Sequence, residues 1–209
     1  MSLSIKEKRQ VRIVFLGSAG VGKTSLIRRF LLDAFDPKHR RTVEELHSTE
    51  YEATCGTQVK IEILDTSGSY EFPAMRKLNM QSGDAFALIY TVDDPESFEN
   101  VKRLREEILE TKGDKSPPIV VVANKKDSAG DPKVSWEEAL TTVELDWNHR
   151  LLETSAKENL NVNEVFRELL REVNLPSRIS PALRRRRETV PDAGSHKPPM
   201  NKTNSCNIS

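Results

Sequence analysis

A segment of eight residues near the amino terminus has the composition of a phosphate-binding loop. It reads Gly-Ser-Ala-Gly-Val-Gly-Lys-Thr and matches the pattern G-x-x-x-x-G-K-[ST]. Glycines without a Cβ permit a tight turn in which successive backbone N–H groups point at one anion. In this pattern the lysine, Lys23, reaches the β- and γ-phosphates, and the Thr24 hydroxyl binds Mg²⁺. The predicted phosphate site comprises Gly17, Ser18, Ala19, Gly20, Val21, Gly22, Lys23, Thr24 and Ser25.

A second polar segment, Asn-Lys-Lys-Asp at residues 124–127, directly follows the apolar run Ile119–Ala123. The carboxylate of Asp127 could accept hydrogen bonds from both N1–H and the amino group of guanine. Adenine would leave that carboxylate unpaired, and each lost charge-assisted bond costs about 1.5–3 kcal/mol. Asn124 would tie this segment to the phosphate loop, and the aliphatic stem of Lys125 would pack on the base. The segment therefore favours a guanine site.

Two further segments follow apolar runs and add to this set. In residues 153–157, Glu-Thr-Ser-Ala-Lys, the backbone N–H of Ala156 could read the guanine carbonyl oxygen. Residues 65–69 read Asp-Thr-Ser-Gly-Ser. Asp65 suits a water-mediated contact to Mg²⁺, and Gly68 leaves room for a γ-phosphate to approach its N–H. The four segments, residues 17–24, 65–69, 124–127 and 153–157, occur in one order along the chain. Together they indicate a guanine-nucleotide site far more specifically than any one of them does.

Alternating strands and helices are predicted to position these segments. Buried strands are predicted at Val11–Leu16, Val59–Leu64, Phe86–Val92, Ile119–Ala123 and Leu151–Leu152. Helical spacing of apolar residues begins after Pro95, after Ser135 and at Val162, with Ser135 and Glu138 forming a capping box. This alternation predicts an α/β fold with a mostly parallel sheet, in which Tyr51–Thr54 supplies an antiparallel hairpin strand.

The charge is divided unevenly along the 209 residues, whose formal net charge is zero. Residues 177–209 hold seven basic and two acidic side chains, which gives this tail +5 and leaves −5 on residues 1–176. The tail is rich in Pro, Ser, Arg and Asn and is predicted to be disordered. Only Cys55 and Cys206 are cysteines, so no disulfide framework is expected. A basic tail indicates an anionic partner surface.

From about residue 8 to residue 175 the chain resembles a Ras-family small GTPase. That resemblance implies a P-loop fold with a six-stranded sheet, one antiparallel strand and five helices. It implies that Phe35 packs against guanine and that Thr42 closes on Mg²⁺ and the γ-phosphate. Residues 72–76, Phe-Pro-Ala-Met-Arg, resemble the Dexras/Rhes and Ras-dva side branches. The guanine site that the resemblance implies consists of Asn124, Lys125, Asp127, Ser155, Ala156 and Lys157.

Two positions depart from the usual Ras pattern. Ala19 stands where glycine is common, and Ser69 stands where a glutamine orients the attacking water. Serine is too short to hold a water in line with the γ-phosphate, so we expect slow hydrolysis by a site comprising Lys23, Thr42, Gly68 and Ser69. Ser69 could instead be a neutral surface substitution. Another group could also substitute for the glutamine, and Arg40 and Arg41 lie just before Thr42.

The chain ends in Cys206-Asn-Ile-Ser, a C-a-a-X ending whose final serine is typical of farnesylation. Because one prenyl chain binds membranes weakly, the arginines of 184–187 would supply a second, electrostatic contact. These arginines could alternatively form a solvated or nuclear-localising patch. We expect the protein at the cytoplasmic face of the plasma membrane and partly in the cytosol.

These observations predict a flexible segment 1–7, a GTP-binding domain 8–176 and a tail 177–209. The predicted function is a membrane-anchored GTP/GDP switch that uses Mg²⁺, and the alternative is a non-cycling module that stays bound to GTP. Effectors are expected to bind through Thr42–Leu46 and residues 68–80. An exchange factor and a GTPase-activating protein are expected partners, while a monomer without nucleic acid is the expected state.

Overall fold

A single twisted sheet organises the part of the chain that the computed structural model describes, residues 9–38, 42–52, 58–68, 73–128, 130 and 132–173. Six strands lie in the order β2-β3-β1-β4-β5-β6. Only β2 pairs antiparallel, with β3, and all the other neighbours are parallel. The strands are β1 Arg9–Leu16, β2 Glu45–Glu52, β3 Gln58–Asp65, β4 Ala85–Thr91, β5 Ile119–Asn124 and β6 Arg150–Glu153.

Among the described residues, four helical segments lie between strands and a fifth follows the last strand. Two of them begin at side-chain caps: Asp94 accepts a hydrogen bond from Glu96 N–H at 3.1 Å, and Ser135 accepts one from Glu138 N–H at 3.4 Å. The fourth helix changes after Leu140 to a π-helical turn over Thr141–Asp146. The helices are α1 Lys23–Leu32, α2 Pro73–Ser82, α3 Pro95–Lys112, α4 Trp136–Leu140 with its π-helical extension, and α5 Val162–Glu172.

Both faces of the sheet are buried, as the apolar strand runs predict. On β1, Ile13 and Phe15 belong to the core beneath α1 and α5, whereas Val14 and Leu16 belong to the core on the other face. Phe166 of α5 stacks on Phe30 of α1 with ring centroids 3.7 Å apart. This double burial fixes the register of the strands whose ends carry the polar segments.

The predicted fold class is confirmed, with small changes at the boundaries. The antiparallel strand spans Glu45–Glu52 and pairs along the whole of β3, rather than beginning at Tyr51. Its start was not predicted, because the sequence there is polar and shows no apolar run. Residues 53–57 lie outside the described residues. The β4 strand ends at Thr91, and Val92 receives hydrogen bonds from Lys133 and Val134 at its carbonyl instead.

The parallel arrangement brings the polar segments to one edge. Because β1, β3, β5 and β6 run in the same direction, the segments after them all emerge at the carboxyl edge of the sheet. Among the described residues, no helix is both long and apolar enough to span a bilayer. The predicted domain limits at residues 8 and 176, and the tail 177–209, lie outside the described residues.

Candidate functional site: a nucleotide cleft

The loop between β1 and α1 depends on two glycines whose backbone φ angles are positive. Gly17 has φ 145° and Gly22 has φ 98°. A Cβ on Gly17 would overlap the Ile89 carbonyl oxygen, and one on Gly22 would overlap the Asn124 amide. The chain therefore passes close to β4 and β5 before α1 begins at Lys23, and the N–H groups of the first helical turn face the cleft.

Lys23 lies inside this loop. Its ammonium donates to the carbonyl oxygens of Gly17 and Ser18, at 2.8 and 2.9 Å. Burial lowers the pKa of Lys23 to about 8, and the nearby Asp65 carboxylate partly opposes the change. An anionic phosphate next to the ammonium would favour its charged form and raise the pKa again, which fits the predicted role of Lys23.

The three predicted Mg²⁺ ligands lie close to one another. The hydroxyls of Thr24 and Thr42 are 2.7 Å apart. Asp65, at the end of β3, is completely buried, and neither of its carboxylate oxygens makes a hydrogen bond with the described residues. Burial raises the pKa of Asp65, while the Thr24 hydroxyl and the Lys23 charge oppose the increase. A buried carboxylate close to two hydroxyls fits a hard divalent cation that binds oxygen ligands.

Gly68 lies directly against the phosphate loop. A Cβ at this position would overlap the backbone of Ala19 and Ser18, so only glycine allows this approach. The segment after β3 therefore contacts the loop that binds the phosphates. This placement agrees with the predicted approach of Gly68 to a γ-phosphate. Ser69, which follows, lies outside the described residues.

Asn124 ties its segment to the phosphate loop, as predicted, and also bonds to the segment after β6. Its amide donates to the Val21 carbonyl at 2.8 Å, which ties β5 to the phosphate loop. Its carbonyl oxygen accepts from the Thr154 hydroxyl at 3.1 Å and from Ala156 N–H at 3.3 Å. Asn124 is almost completely buried, so these bonds fix the relative positions of the phosphate and base segments.

Asp127 is held by two side chains of the segment after β6. The Ser155 hydroxyl donates to its Oδ1 at 2.5 Å, and Lys157 Nζ lies 3.7 Å from its Oδ2. Lys125 adopts a left-handed conformation with φ 64°, and Lys126 N–H donates to the Thr154 carbonyl at 3.0 Å. This turn places Lys125 and Asp127 side by side on the wall of the cleft.

The predicted residues surround one cleft of about 800 Å³, large enough for a nucleotide. Fourteen of the predicted residues line it: Ala19, Gly20, Gly22, Lys23, Thr24, Ser25, Phe35, Thr42, Gly68, Asn124, Lys125, Asp127, Ala156 and Lys157. Five other predicted residues do not line the cleft: Gly17, Ser18, Val21, Asp65 and Ser155. Of these, Ser18 accepts a hydrogen bond from Asn100 at 3.0 Å, and Val21 is buried in the core.

The structure also reveals residues that the sequence analysis did not identify. Six additional residues line the cleft: Arg28, Ala34, Asp36, Pro37, Lys38 and Ser67. Arg29 was missed as well, although its guanidinium donates to the Ala156 and Lys157 carbonyls. A spacing pattern carries no signal for contacts with backbone carbonyls more than a hundred residues away. Only the proximity of Arg28 and Arg29 to the phosphate loop could have drawn attention to them.

Several predicted functional residues lie outside the described residues. They are Arg40, Arg41, Ser69, the arginines of 184–187, and Cys206.

A glycine-rich loop, two adjacent hydroxyls with a buried carboxylate, and Asp127 on the cleft wall, all at the carboxyl edge of a mostly parallel sheet, are the features of a P-loop nucleotide-binding protein. Residues 12–175 match the family described as Ras family, and the chain belongs to that family. It is therefore a small GTPase that binds GTP or GDP together with Mg²⁺.

Curated relatives support the same assignment. The chain is 40% identical over 195 residues to human GTP-binding protein Rhes, which covers 88% of this chain and 73% of that protein. The mouse and rat proteins of the same name are each 40% identical over 191 residues, with 87% of this chain and 71% of theirs covered. These similarities support the Rhes branch of the Ras family.

Proposed function

We propose that the protein is a membrane-anchored molecular switch whose intrinsic GTP hydrolysis is slow. The observation that carries this proposal is a nucleotide cleft complete at its phosphate, cation and base positions, combined with Ser69 at the water-positioning site. In the hydrolysis step a water oxygen attacks the γ-phosphorus while the bond to the β–γ bridging oxygen breaks, leaving GDP and phosphate. Mg²⁺, when bound, would neutralise charge on the phosphates.

Different residues of this chain would have different roles in that step. Lys23 would stabilise the negative charge that develops on the leaving GDP, and Gly68 N–H would orient the γ-phosphate. Ser69 leaves the attacking water without the long amide side chain that holds it in line. Because positioning of the nucleophile supplies much of the acceleration, this substitution slows hydrolysis while leaving binding intact.

Nucleotide-dependent signalling would operate through the two segments that meet at the phosphates. Thr42 lies beside Thr24, and Gly68 lies against Ala19, so a γ-phosphate held by the loop would be within reach of both segments. Loss of that phosphate would remove its contacts with both. Exposed apolar side chains lie nearby, with Val43 84% and Leu78 55% exposed. Effector proteins, an exchange factor and a GTPase-activating protein would bind at Thr42–Leu46 and residues 68–80.

The alternative is a non-cycling module that remains bound to GTP, which Ala19 and Ser69 both favour. The two functions can be distinguished by whether the bound nucleotide stays GTP or becomes GDP. Purified protein loaded with GTP, held at 25 °C with Mg²⁺ and sampled for two days, is expected to convert GTP to GDP on the enzyme. Persistence of more than nine-tenths of the bound GTP over that time would contradict the switch and establish the alternative.

The anchor would be a farnesyl group on Cys206 assisted by the arginines of 184–187, which places the protein at the cytoplasmic face of the plasma membrane. The support is the C-a-a-X ending and the +5 charge of the tail. Cys206→Ser is expected to move a fluorescent fusion from the membrane to the cytosol. The matched control, Ser205→Ala, keeps the cysteine and should not move it. A Cys206→Ser variant that still sediments with membranes would contradict the anchor.

A further inference from the structure

Arg29 makes several polar contacts near the base pocket, although it does not line the cleft. It lies in the last turn of α1, and only 15% of its side chain is exposed. Its Nε donates to the Ala156 carbonyl at 2.9 Å, and its Nη2 donates to the Lys157 carbonyl at 2.8 Å. One planar guanidinium therefore holds two successive carbonyls of the segment that reads the base.

The same guanidinium also holds the chain that leaves α1. Its Nη1 donates to the Asp33 carbonyl at 3.1 Å and lies 3.6 Å from the Asp33 carboxylate. Its central carbon lies 5.8 Å from the ring centroid of Phe35, a distance typical of a cation–π contact. The side chain of Asn159 adds a second link by donating to the Asp33 carboxylate at 3.3 Å. Arg29 thus joins the two sides of the base pocket.

The contacts of Arg29 with the two carbonyls restrict the orientation of the Ala156 N–H. A backbone whose carbonyls at Ala156 and Lys157 are both fixed has little freedom to rotate the Ala156 N–H away from the cleft. Among the described residues, the N–H itself donates to Asn124 over a long distance, 3.3 Å. Its peptide plane is held on the other side by the Ser155 carbonyl, which accepts from Leu160 N–H at 2.9 Å. Arg29 adds to this positioning by fixing the two carbonyls that follow in the chain.

We propose that Arg29 is a positioning residue that aims the Ala156 N–H at the guanine carbonyl oxygen and thereby slows nucleotide dissociation. The inference rests on the proposed base-reading role of Ala156. Arg29 need not touch the nucleotide, because it acts through Ala156 and Phe35. Lysine at this position would keep the positive charge but would lack the planar fork of donors that holds both carbonyls while contacting Phe35.

The test compares the dissociation of GDP with that of 6-thio-GDP from full-length protein in excess Mg²⁺. Sulfur accepts hydrogen bonds more weakly than oxygen, so 6-thio-GDP is expected to leave the wild type faster than GDP. Arg29→Ala should release GDP about tenfold faster, since it removes the equivalent of about one hydrogen bond at the base. The ratio between the two nucleotides should fall towards one. Arg29→Lys should give intermediate values for both quantities.

Arg167→Ala is the matched control, because Arg167 is a half-exposed arginine that pairs with Glu164 on α5. It should leave the rates and the nucleotide ratio unchanged. Unchanged GDP dissociation in Arg29→Ala, with a wild type that distinguishes the two nucleotides, would overturn the role of Arg29 alone. Equal acceleration of both nucleotides would also overturn it, since that indicates general loosening. Equal dissociation of both from the wild type would overturn the base-reading role of Ala156 and this inference with it.

Discussion

At the scale of single residues, the cleft contains charges that the protein itself compensates only in part. Lys23 is bonded to carbonyls but has a lowered pKa, and buried Asp65 has no hydrogen bond with the described residues. Both arrangements cost stability in the empty protein. A nucleotide phosphate and a divalent cation would supply the missing charges. This explains why a site so unfavourable on its own fits an anionic ligand that carries Mg²⁺.

Asp127 provides the sharpest single-residue prediction. Asp127→Asn keeps the shape but replaces one acceptor with a donor. Ser155 donates to Oδ1, so the new amide nitrogen takes the Oδ2 position. Guanine then loses one charge-assisted acceptor and meets a donor, whereas xanthine offers a carbonyl at that point. We expect GTP affinity to fall at least about 100-fold and XTP affinity to rise.

Titration calorimetry of wild type and Asp127→Asn with GTP, XTP and ATP measures this change. Asp146→Asn, the same exchange at an exposed residue that does not line the cleft, is the control and should keep the preference for GTP. If Asp127→Asn also keeps that preference, Asp127 does not contact the base.

The sequence predicts the placement of cleft residues well when a short motif determines which residues they contact. The contact of Asn124 with Val21 and the position of Asp127 on the wall of the cleft both follow from short motifs at strand ends. Arg29 could not be predicted, because its partners are backbone carbonyls 127 and 128 residues away and any residue type supplies them. Ser155 was predicted to belong to the guanine site, and the structure adds that its hydroxyl donates to Asp127, a contact that the sequence analysis did not predict.

At the scale of elements, the connection between α4 and β6 packs against a charged residue of α3, Arg105. The π-helical turn ends before Trp147, whose ring lies 4.8 Å from the guanidinium carbon of Arg105 on α3. Arg105 also donates from Nε to His149 Nε2 at 3.2 Å, so His149 is the acceptor and neutral. Burial and the Arg105 charge lower the pKa of His149 to about 4. Packing of the helix on the sheet here depends on an uncharged histidine.

This arrangement predicts a specific sensitivity to acid. The unfolded chain binds a proton at His149 near pH 6.5, whereas the folded chain does so only near pH 4. Between these values the unfolded state holds more protons, so stability falls as the pH decreases. After allowance for solvent screening at a half-buried site, the His149 contribution lost between pH 7 and pH 5 should be about 1 kcal/mol.

His149→Gln removes this titration while keeping a side chain that can accept from Arg105. Urea unfolding of the GDP-bound proteins at pH 7 and pH 5 measures the difference. The wild type should lose about 1 kcal/mol more than His149→Gln over this range. An equal loss in both proteins would show that His149 does not titrate as the structure indicates.

Apolar periodicity predicted the elements that are buried on one or both faces. The face formed by Val162, Val165, Phe166 and Leu169 lies in the core as expected. The start of β2 was missed, because edge-strand pairing depends on backbone hydrogen bonds and requires no apolar run. The π-helical turn of Thr141–Asp146 was also missed, since one extra residue per turn scarcely alters the spacing of Ala139 and Val143.

At the scale of the whole molecule, the sequence combines a Ras-family region, residues 12–175, with a carboxyl-terminal segment, residues 177–209, of opposite net charge to the rest. The topology of the sheet brings segments that are distant in sequence to one edge, where the phosphate loop, the Asp65–Gly68 segment and the base segments form a single cleft. The +5 tail and the −5 remainder would favour an orientation in which the domain faces away from an anionic surface. Hydrolysis rate and membrane residence would then jointly set how long a signal persists.

Single-turnover GTP hydrolysis by full-length protein tests the central claim, slow switching caused by Ser69, most directly. Unassisted Ras proteins that carry the glutamine hydrolyse GTP at a rate on the order of 10⁻⁴ per second. The wild type should be slower than this, Ser69→Ala should match the wild type, and Ser69→Gln should be at least about tenfold faster. A wild type as fast as such Ras proteins, together with an unchanged Ser69→Gln variant, would contradict the account.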